Sequence, residues 1–284
     1  MSNPLVSICI PTYNGERFIK SAMESAINQT YRPLEIIVSD DASSDTTLNI
    51  IKTFITKTDI PISIFHHEPS GIGANWNNCV KKSSGDYIKY LFQDDLLKPD
   101  CIQSMVKLAE EDKDIGIVFS KREIIADGNP NDYEKWIAQF NDLQSNWTKI
   151  ENIQHGRSLL GDVNFLSQPR NKVGEPTAVL LRKTVFDKIG YFNIELKQAL
   201  DYEFWYRTFK FFKAGYIDRE LVSFRLHDQQ ATAQNSKTTI IDYQEYPKLV
   251  YKNLFWHLNP KLKKELFFRY NYFGKFLNKF LNIA

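Results

Sequence analysis

The chain predicts an α/β fold, with a mostly parallel central sheet flanked by helices and a helical C-terminal extension. Three observations carry that expectation. Apolar, β-rich runs alternate with segments of helical spacing, the pattern of parallel strands joined by right-handed crossovers. Several of those runs stop at small polar or acidic residues, as strands do where they turn toward a site at the sheet edge. From Tyr251 onward, aromatic and basic residues recur at roughly helical spacing.

Each element follows from local pattern. Residues 5–10 read as a buried strand ended by Pro11. Phe18, Ile19, Ala22, Met23, Ala26 and Ile27 then share one helical face. Residues 34–39 form a second strand, closed by small polar residues at 40–45 that suit a turn and a helix N-cap. A helix through Leu48, Ile51, Phe54 and Ile55 leads to a strand at 62–66. After Gly71-Ile72-Gly73 a helix runs to about Lys82, and residues 87–93 form a strand that stops at Asp94-Asp95. Gly71-x-Gly73 does not complete a dinucleotide fingerprint and lacks a strand immediately before it, which argues against a Rossmann oxidoreductase. Past Pro99 a helix reaches about Lys113, and 115–119 is a strand. Residues 127–174 loosen into polar stretches and Asn-Pro turns, which suggests an insertion or a mobile lid. Strand character returns at 177–181, then helical signals at 184–189 and 201–213.

Composition narrows the function. At 284 residues the chain holds one large α/β domain or a domain with an appendage. A formal net charge of +2 argues against a general nucleic-acid-binding surface. Cys9, Cys79 and Cys101 show no paired or metal-ligand spacing, which points to a reducing, cytoplasmic setting. No basic n-region followed by an apolar h-region opens the sequence. No stretch approaches the ~20 apolar residues of a membrane span. The expectation is a soluble or peripheral protein.

Asp94-Asp95 is the most informative pair. Adjacent carboxylates at the carboxyl end of a strand repel one another; a divalent cation relieves that repulsion and prepares a site for a diphosphate. The alternative is a solvated turn whose aspartates cap the next helix. Pro11-Thr12-Tyr13-Asn14, Ser39-Asp40-Asp41-Ala42-Ser43 and Asp94-Asp95 each close a predicted parallel strand, and Leu200-Asp201-Tyr202-Glu203 follows them. Three site-like turns on one sheet edge argue for a shared ligand.

With Gly85-Asp86-Tyr87-Ile88 and Arg225-Leu226-His227-Asp228, this ordered set resembles the family 2 glycosyltransferases, over most of residues 5–235. The resemblance implies a GT-A fold. Its catalytic domain would cover residues 1–230, with a nucleotide-binding half at about 1–98 and an acceptor-binding half at about 99–230, ahead of a tail at 231–284. It implies an inverting, metal-dependent transfer from a nucleotide diphosphate-sugar, UDP by family habit, to a hydroxyl of a glycan or lipid-linked acceptor. Pro11, Thr12, Tyr13, Asp41, Asn77 and Asp94 would bind nucleotide. Asp40 would face back into its turn. Asp95 would hold Mn2+ or Mg2+, with His227 completing the metal site or touching the diphosphate. Asp201 would be the general base, with Glu203 in reserve. The acceptor pocket would gather around Glu175, Tyr202 and Trp205. Arg170 and Lys172 either reach the phosphates from a closing lid or are solvated surface charge.

The sequence departs from the family pattern at three places. Phe92 stands where the first acid of the Asp-x-Asp motif belongs, Leu200 where an acid normally precedes Asp201, and Trp76 where arginine is common. The first removes a ribose contact; the second removes a like charge beside the base. A non-catalytic scaffold is the rival reading, and a sugar nucleotidyltransferase is disfavoured because Pro11-Thr12-Tyr13-Asn14-Gly15 lacks the glycines and cations that hold a triphosphate. Processive synthases of the family carry membrane spans and a Gln-x-x-Arg-Trp motif, both missing here, so single-sugar addition in bacterial surface-glycan assembly is expected. The basic, aromatic tail either lies in a membrane interface or packs on protein.

Overall fold

The computed structural model describes residues 3–230 and 240–281. The first half alternates as its pattern predicts: β1 (Val6–Thr12), α1 (Ile19–Ile27), β2 (Leu34–Asp40), α2 (Thr47–Lys52), β3 (Ile62–His66), α3 (Ile72–Lys82) and β4 (Tyr87–Tyr90). Then follow β5 (Leu96–Leu97), α4 (Cys101–Glu111), β6 (Ile115–Ala126), α5 (Glu134–Phe140), β7 (Ile153–His155), α6 (Gly156–Leu160), β8 (Val179–Arg182), α7 (Thr184–Ile189), α8 (Leu200–Phe209) and β9 (Lys213–Leu226). Three helices close the described chain: α9 (Asp242–Leu254), α10 (Pro260–Tyr270) and α11 (Tyr272–Leu281).

The strands form a single mixed sheet in the order β3-β2-β1-β4-β8-β6-β9-β5, with β7 added on β9. β1, β2, β3, β4, β6 and β9 point one way, and β5, β7 and β8 the other. The expected parallel character therefore holds, with the reversed strands inserted in the second half. Both faces are covered, so the inner strands are apolar on both sides. Ile8, Ile10, Ile36 and Val38 meet α1, α2 and α4, whereas Cys9, Ile37 and Ile88 belong to the cluster of α3 and the helices α6 to α10. All three cysteines are free and buried.

Register sets the site. Thr12 pairs with Asp40, and Asp40 with His66, so the first three strands end level. β4 is shorter than expected and ends at Tyr90; Leu91 still bonds back to Cys9 (3.0 Å), but residues 92–95 leave the ladder and turn. β5 then pairs with the far end of β9, Leu96 opposite Ser223, which carries Arg225 and His227 up to Asp94. The loose segment 127–174 contains α5, β7, α6 and two 3-10 turns. α5 is held by Trp136, which stacks on Phe224 at 5.8 Å and lies over the Arg122 guanidinium.

The C-terminal helices extend the core instead of standing apart. Tyr246, Val250, Leu254, Leu262 and Leu266 are buried in the same cluster as Phe204, Trp205 and Phe209 of α8. Asp242, at the start of α9, accepts hydrogen bonds through Oδ2 from the backbone N–H groups of Lys197 (2.8 Å), Gln198 (2.6 Å) and Ala199 (2.9 Å). Those amides precede α8, so a buried carboxylate from the extension caps the helix that carries Asp201. Among the described residues no helix is long and apolar enough to cross a membrane.

Candidate active site

At the end of β1, Pro11 and Thr12 are buried while the Tyr13 ring is 58% exposed, which leaves a face for a planar base to stack on. Thr12 donates to Asp40 Oδ1 (2.9 Å), and Asp40 also accepts from the hydroxyl (2.6 Å) and N–H (2.9 Å) of Ser43. Asp40 is therefore used up inside its turn, as expected. Asp41 is fixed by its N–H to the Thr12 carbonyl (2.9 Å), and its Oδ1 lies 2.5 Å from His67 Nδ1. Asn14 and Ala42 both adopt left-handed backbone angles (φ 46° and 61°), unusual for residues with a Cβ and found most often where a site dictates loop shape. Gln93 clamps the loop after β1 by accepting from Tyr13 N–H (2.9 Å) and donating to Tyr13 C=O (3.0 Å). Neither His67 nor Gln93 stood out in the sequence, because their partners lie in other turns of the edge.

The structure separates the aspartate pair by burial and by partner. Asp95, expected to hold the metal, is fully buried: Oδ2 accepts from Thr177 Oγ1 (2.7 Å) and Oδ1 from Arg225 N–H (3.0 Å). Burial, with the charge of Asp94 second, pushes its carboxyl well above the usual range. Both oxygens brace the turn. Asp94, expected to bind nucleotide, faces His227, with Oδ2 at 2.9 Å from Nε2. Arg225 Nε donates to the Asp94 carbonyl (2.8 Å), and Phe18 packs on the His227 ring at 4.8 Å. Beneath them, the buried Lys89 ammonium bonds the Thr177 carbonyl, so Thr177 links that cation to Asp95. Asn77, expected to bind nucleotide, is buried with its side-chain amide on the Phe192 backbone, donating to C=O (2.9 Å) and accepting from N–H (3.0 Å).

Asp201 sits in the first turn of α8. Its Oδ2 accepts from Asn171 Nδ2 (2.8 Å), and its Oδ1 from the Tyr202 N–H (2.7 Å). Burial, opposed by that N–H and followed by the charge of Glu175, pushes its pKa up to about 8. Asn171 is itself fixed, its Oδ1 accepting from the N–H groups of Val173 (3.1 Å) and Gly174 (3.0 Å). Glu175 forms an ion pair with the buried Arg122 (2.8 Å), and its charge reaches both Asp95 and Asp201. It thus links the aspartate turn and Asp201 electrostatically.

Tyr202 and Trp205, expected in the acceptor pocket, are core residues. Trp205 is wholly buried with its indole N–H on the Gly174 carbonyl (3.0 Å), and Tyr202 packs edge-on against Tyr246 at 4.6 Å. Lys172 is neither a phosphate contact nor solvated. It is buried, donates to the Ser167 and Pro169 carbonyls (2.7 Å each), and burial lowers its pKa to about 8. Arg170 reaches the Tyr243 carbonyl (3.0 Å). Glu203 pairs with Arg207 (2.7 Å) on the other side of α8, away from Asp201.

Asp94 and His227 present one hard oxygen and one imidazole nitrogen toward each other; the carboxylate suits Mn2+ or Mg2+, and the imidazole favours a transition ion such as Mn2+. Among the described residues no group of three or more His, Cys, Asp or Glu could hold a metal ion alone. A cation here would need oxygens from a second ligand, which a diphosphate supplies. The carboxyl ends of parallel strands, an exposed aromatic beside an acid, this two-donor pair and the Asp201 carboxylate at the start of α8 define the class of GT-A-type sugar transferases.

The comparisons with known proteins agree. The model of the family described as glycosyl transferase family 2 matches residues 7–190, and the chain belongs to that family. An uncharacterized glycosyltransferase of Rickettsia typhi is 31% identical over 257 residues, covering 87% of this chain and 70% of that protein. Among solved structures, the Staphylococcus aureus TarS fragment 1–349 with UDP-GlcNAc superposes with a TM-score of 0.65 at 18% identity, covering 98% of this chain and 76% of the other. The mannosyltransferase PcManGT of Pyrobaculum calidifontis, in complex with GDP-Man and Mn2+, gives 0.59 at 16% identity, covering 90% and 64%. At such identities the likeness is one of fold, and that fold is the GT-A arrangement. The protein is a glycosyltransferase.

Proposed function

We propose that the chain transfers a single sugar, with inversion, from a nucleotide diphosphate-sugar to a hydroxyl of a glycan or lipid-linked acceptor, in assembly of a bacterial surface glycan. The observation that carries the reading is the Asp94–His227 pair (2.9 Å) at the sheet edge. Asp201, which shares the charge of Glu175 with Asp95, has a base-like pKa of about 8. Tyr13 and Asp41 hold the base of the nucleotide, by stacking and by a hydrogen bond from its edge; UDP is the favoured donor class, as in the TarS complex. Asp94 and His227 hold Mn2+ or Mg2+, the former seen with GDP-Man in PcManGT. When bound, such a cation neutralises the departing diphosphate.

Asp201 accepts the proton of the acceptor hydroxyl as that oxygen attacks the anomeric carbon. The carbon–oxygen bond to the diphosphate breaks as the new one forms, on the opposite face, with no covalent enzyme intermediate. Asn171 holds the Oδ2 of Asp201, and Glu175 keeps its affinity for the proton high. Asp95, though spent on Thr177 and Arg225, serves by shaping the turn that aims Asp94. The cytoplasm is the expected site of action, where nucleotide-sugars are made.

Calorimetry with UDP, GDP and dTDP, each with and without Mn2+, tests the reading. Tight binding of one nucleotide that requires the metal, lost in Asp94→Ala, is the expected result. Metal-independent binding, or none from folded protein, would overturn it and favour a non-catalytic scaffold.

A further inference from the structure

We propose that the end of the described chain, α11 with the turn at Trp256, is a docking surface for an anionic phospholipid bilayer. The rotation of α11 about its axis is fixed by two contacts. Gly274 is buried against α10 so closely that a Cβ there would lie 2.3 Å from the Phe267 carbonyl oxygen. Asn271 caps the helix, accepting from the N–H groups of Phe273 (3.0 Å) and Gly274 (3.2 Å). With that orientation set, Tyr272 is 90% and Phe273 59% exposed. Trp256 stands 82% exposed and joins the same region through Phe255, Tyr251 and Tyr270. Single exposed apolar residues need no explanation, but large aromatics gathered at one end of a fold do.

Charge names the occupant. Residues 251–284 carry seven Lys or Arg against Glu265 alone, a net +6; the whole chain is +2, so residues 1–250 carry −4. Positive charge is thus concentrated where the aromatics are exposed, on a body of opposite sign. Aromatic rings at headgroup depth with Lys and Arg around them are what an interfacial helix needs to lie on anionic lipid without crossing it. A second copy of this chain would set +6 against +6, which disfavours self-association through this end. The inference stands apart from the transferase reading, since docking needs neither nucleotide nor metal.

The test is co-sedimentation of the full chain with vesicles of phosphatidylcholine alone or mixed with phosphatidylglycerol, without nucleotide. Binding is expected to the mixed vesicles only and to weaken at high salt. Joint Lys275→Gln and Lys279→Gln substitution should cut the partition coefficient by about tenfold or more, and Phe273→Ser with Trp256→Ser should do likewise. All four positions are exposed, so thermal unfolding should not move and misfolding is checked directly. Equal binding to both vesicle types, no binding, or retention unaffected by either pair of substitutions would overturn the proposal. So would a stable dimer in vesicle-free solution that the aromatic substitutions dissociate.

Discussion

A base with a raised pKa leaves a readable trace in the pH dependence of transfer. An isolated aspartate is ionised throughout the neutral range, so its activity would be flat there. Asp201, pushed up to about 8 chiefly by burial, is ionised in roughly one molecule in ten at pH 7 and one in a hundred at pH 6. Since only the carboxylate can take the acceptor proton, kcat/KM should be lost as pH falls through 8, about tenfold per unit, and level off above it. Radiolabelled sugar transfer between pH 6 and 9 measures this, with nucleotide affinity followed at each pH so that loss of donor binding is counted separately. Glu175→Gln removes a neighbouring negative charge and should move the profile to lower pH, while freeing the buried Arg122 and lowering thermal stability. Asp201→Asn should abolish transfer with nucleotide affinity little changed, while the loss of one of its two acceptor oxygens costs about 1 kcal/mol of stability. A flat wild-type profile across the range, with donor binding intact, would refute the assignment of Asp201 as base.

Two further outcomes separate roles that the sequence runs together. Asp94→Ala or His227→Ala should remove the Mn2+ dependence of nucleotide binding in calorimetry with folding intact, whereas Asp95→Ala should cost about 2–4 kcal/mol of stability in urea denaturation, from its two lost acceptor bonds; equal effects of the two aspartates would sink the distinction. Asp242→Ala strips the cap from three amides ahead of α8 and should cost about 2–4 kcal/mol while lowering kcat more than it raises the donor KM.

Local pattern and long-range packing share out what the sequence could reveal. The ends of the first three strands were legible to within two residues, because an apolar run and the polar turn that stops it are both local; β1 continues through Pro11 to Thr12 and β2 one residue further to Asp40. The order of the reversed strands was not. β9 runs for 14 residues but carries Asp218, Arg219 and Glu220 in its middle, which hides the strand from any search for apolar runs. The aspartate pair shows the limit most plainly. Adjacent side chains in a turn point apart, and which one is buried depends on donors 82 and 130 residues away, Thr177 and Arg225. Asn171 and Lys172 lay in a stretch that reads as loose because its order comes from carbonyl and amide contacts with α8 and its own loop, which leave no hydrophobic period.

The departures from the family pattern are coupled in space. Phe92, in place of an acid, and Trp76, in place of the common arginine, meet at 5.0 Å between ring centroids; both lie near Tyr90, and Trp76 also meets Phe192. A position that would carry one sign of charge and a neighbour that would carry the other have both become aromatic, so no lone charge is left in a partly buried place. Leu200 follows the same logic: it is buried, and its Cδ1 lies 3.1 Å from where a Cβ on Gly73 would stand, so α8 leans on α3 through apolar contact. If the exchange is concerted, single reversions should each be costly and the pair less so. Phe92→Asp alone should cost about 1–3 kcal/mol by leaving a carboxylate against Trp76, and Trp76→Arg alone about 3–5 kcal/mol by emptying a packed site. The double variant should recover about 1–3 kcal/mol relative to their sum as the two charges pair. Urea denaturation of the four proteins closes the cycle. Strict additivity would mean that the two positions are not energetically coupled and would refute the pairing argued here.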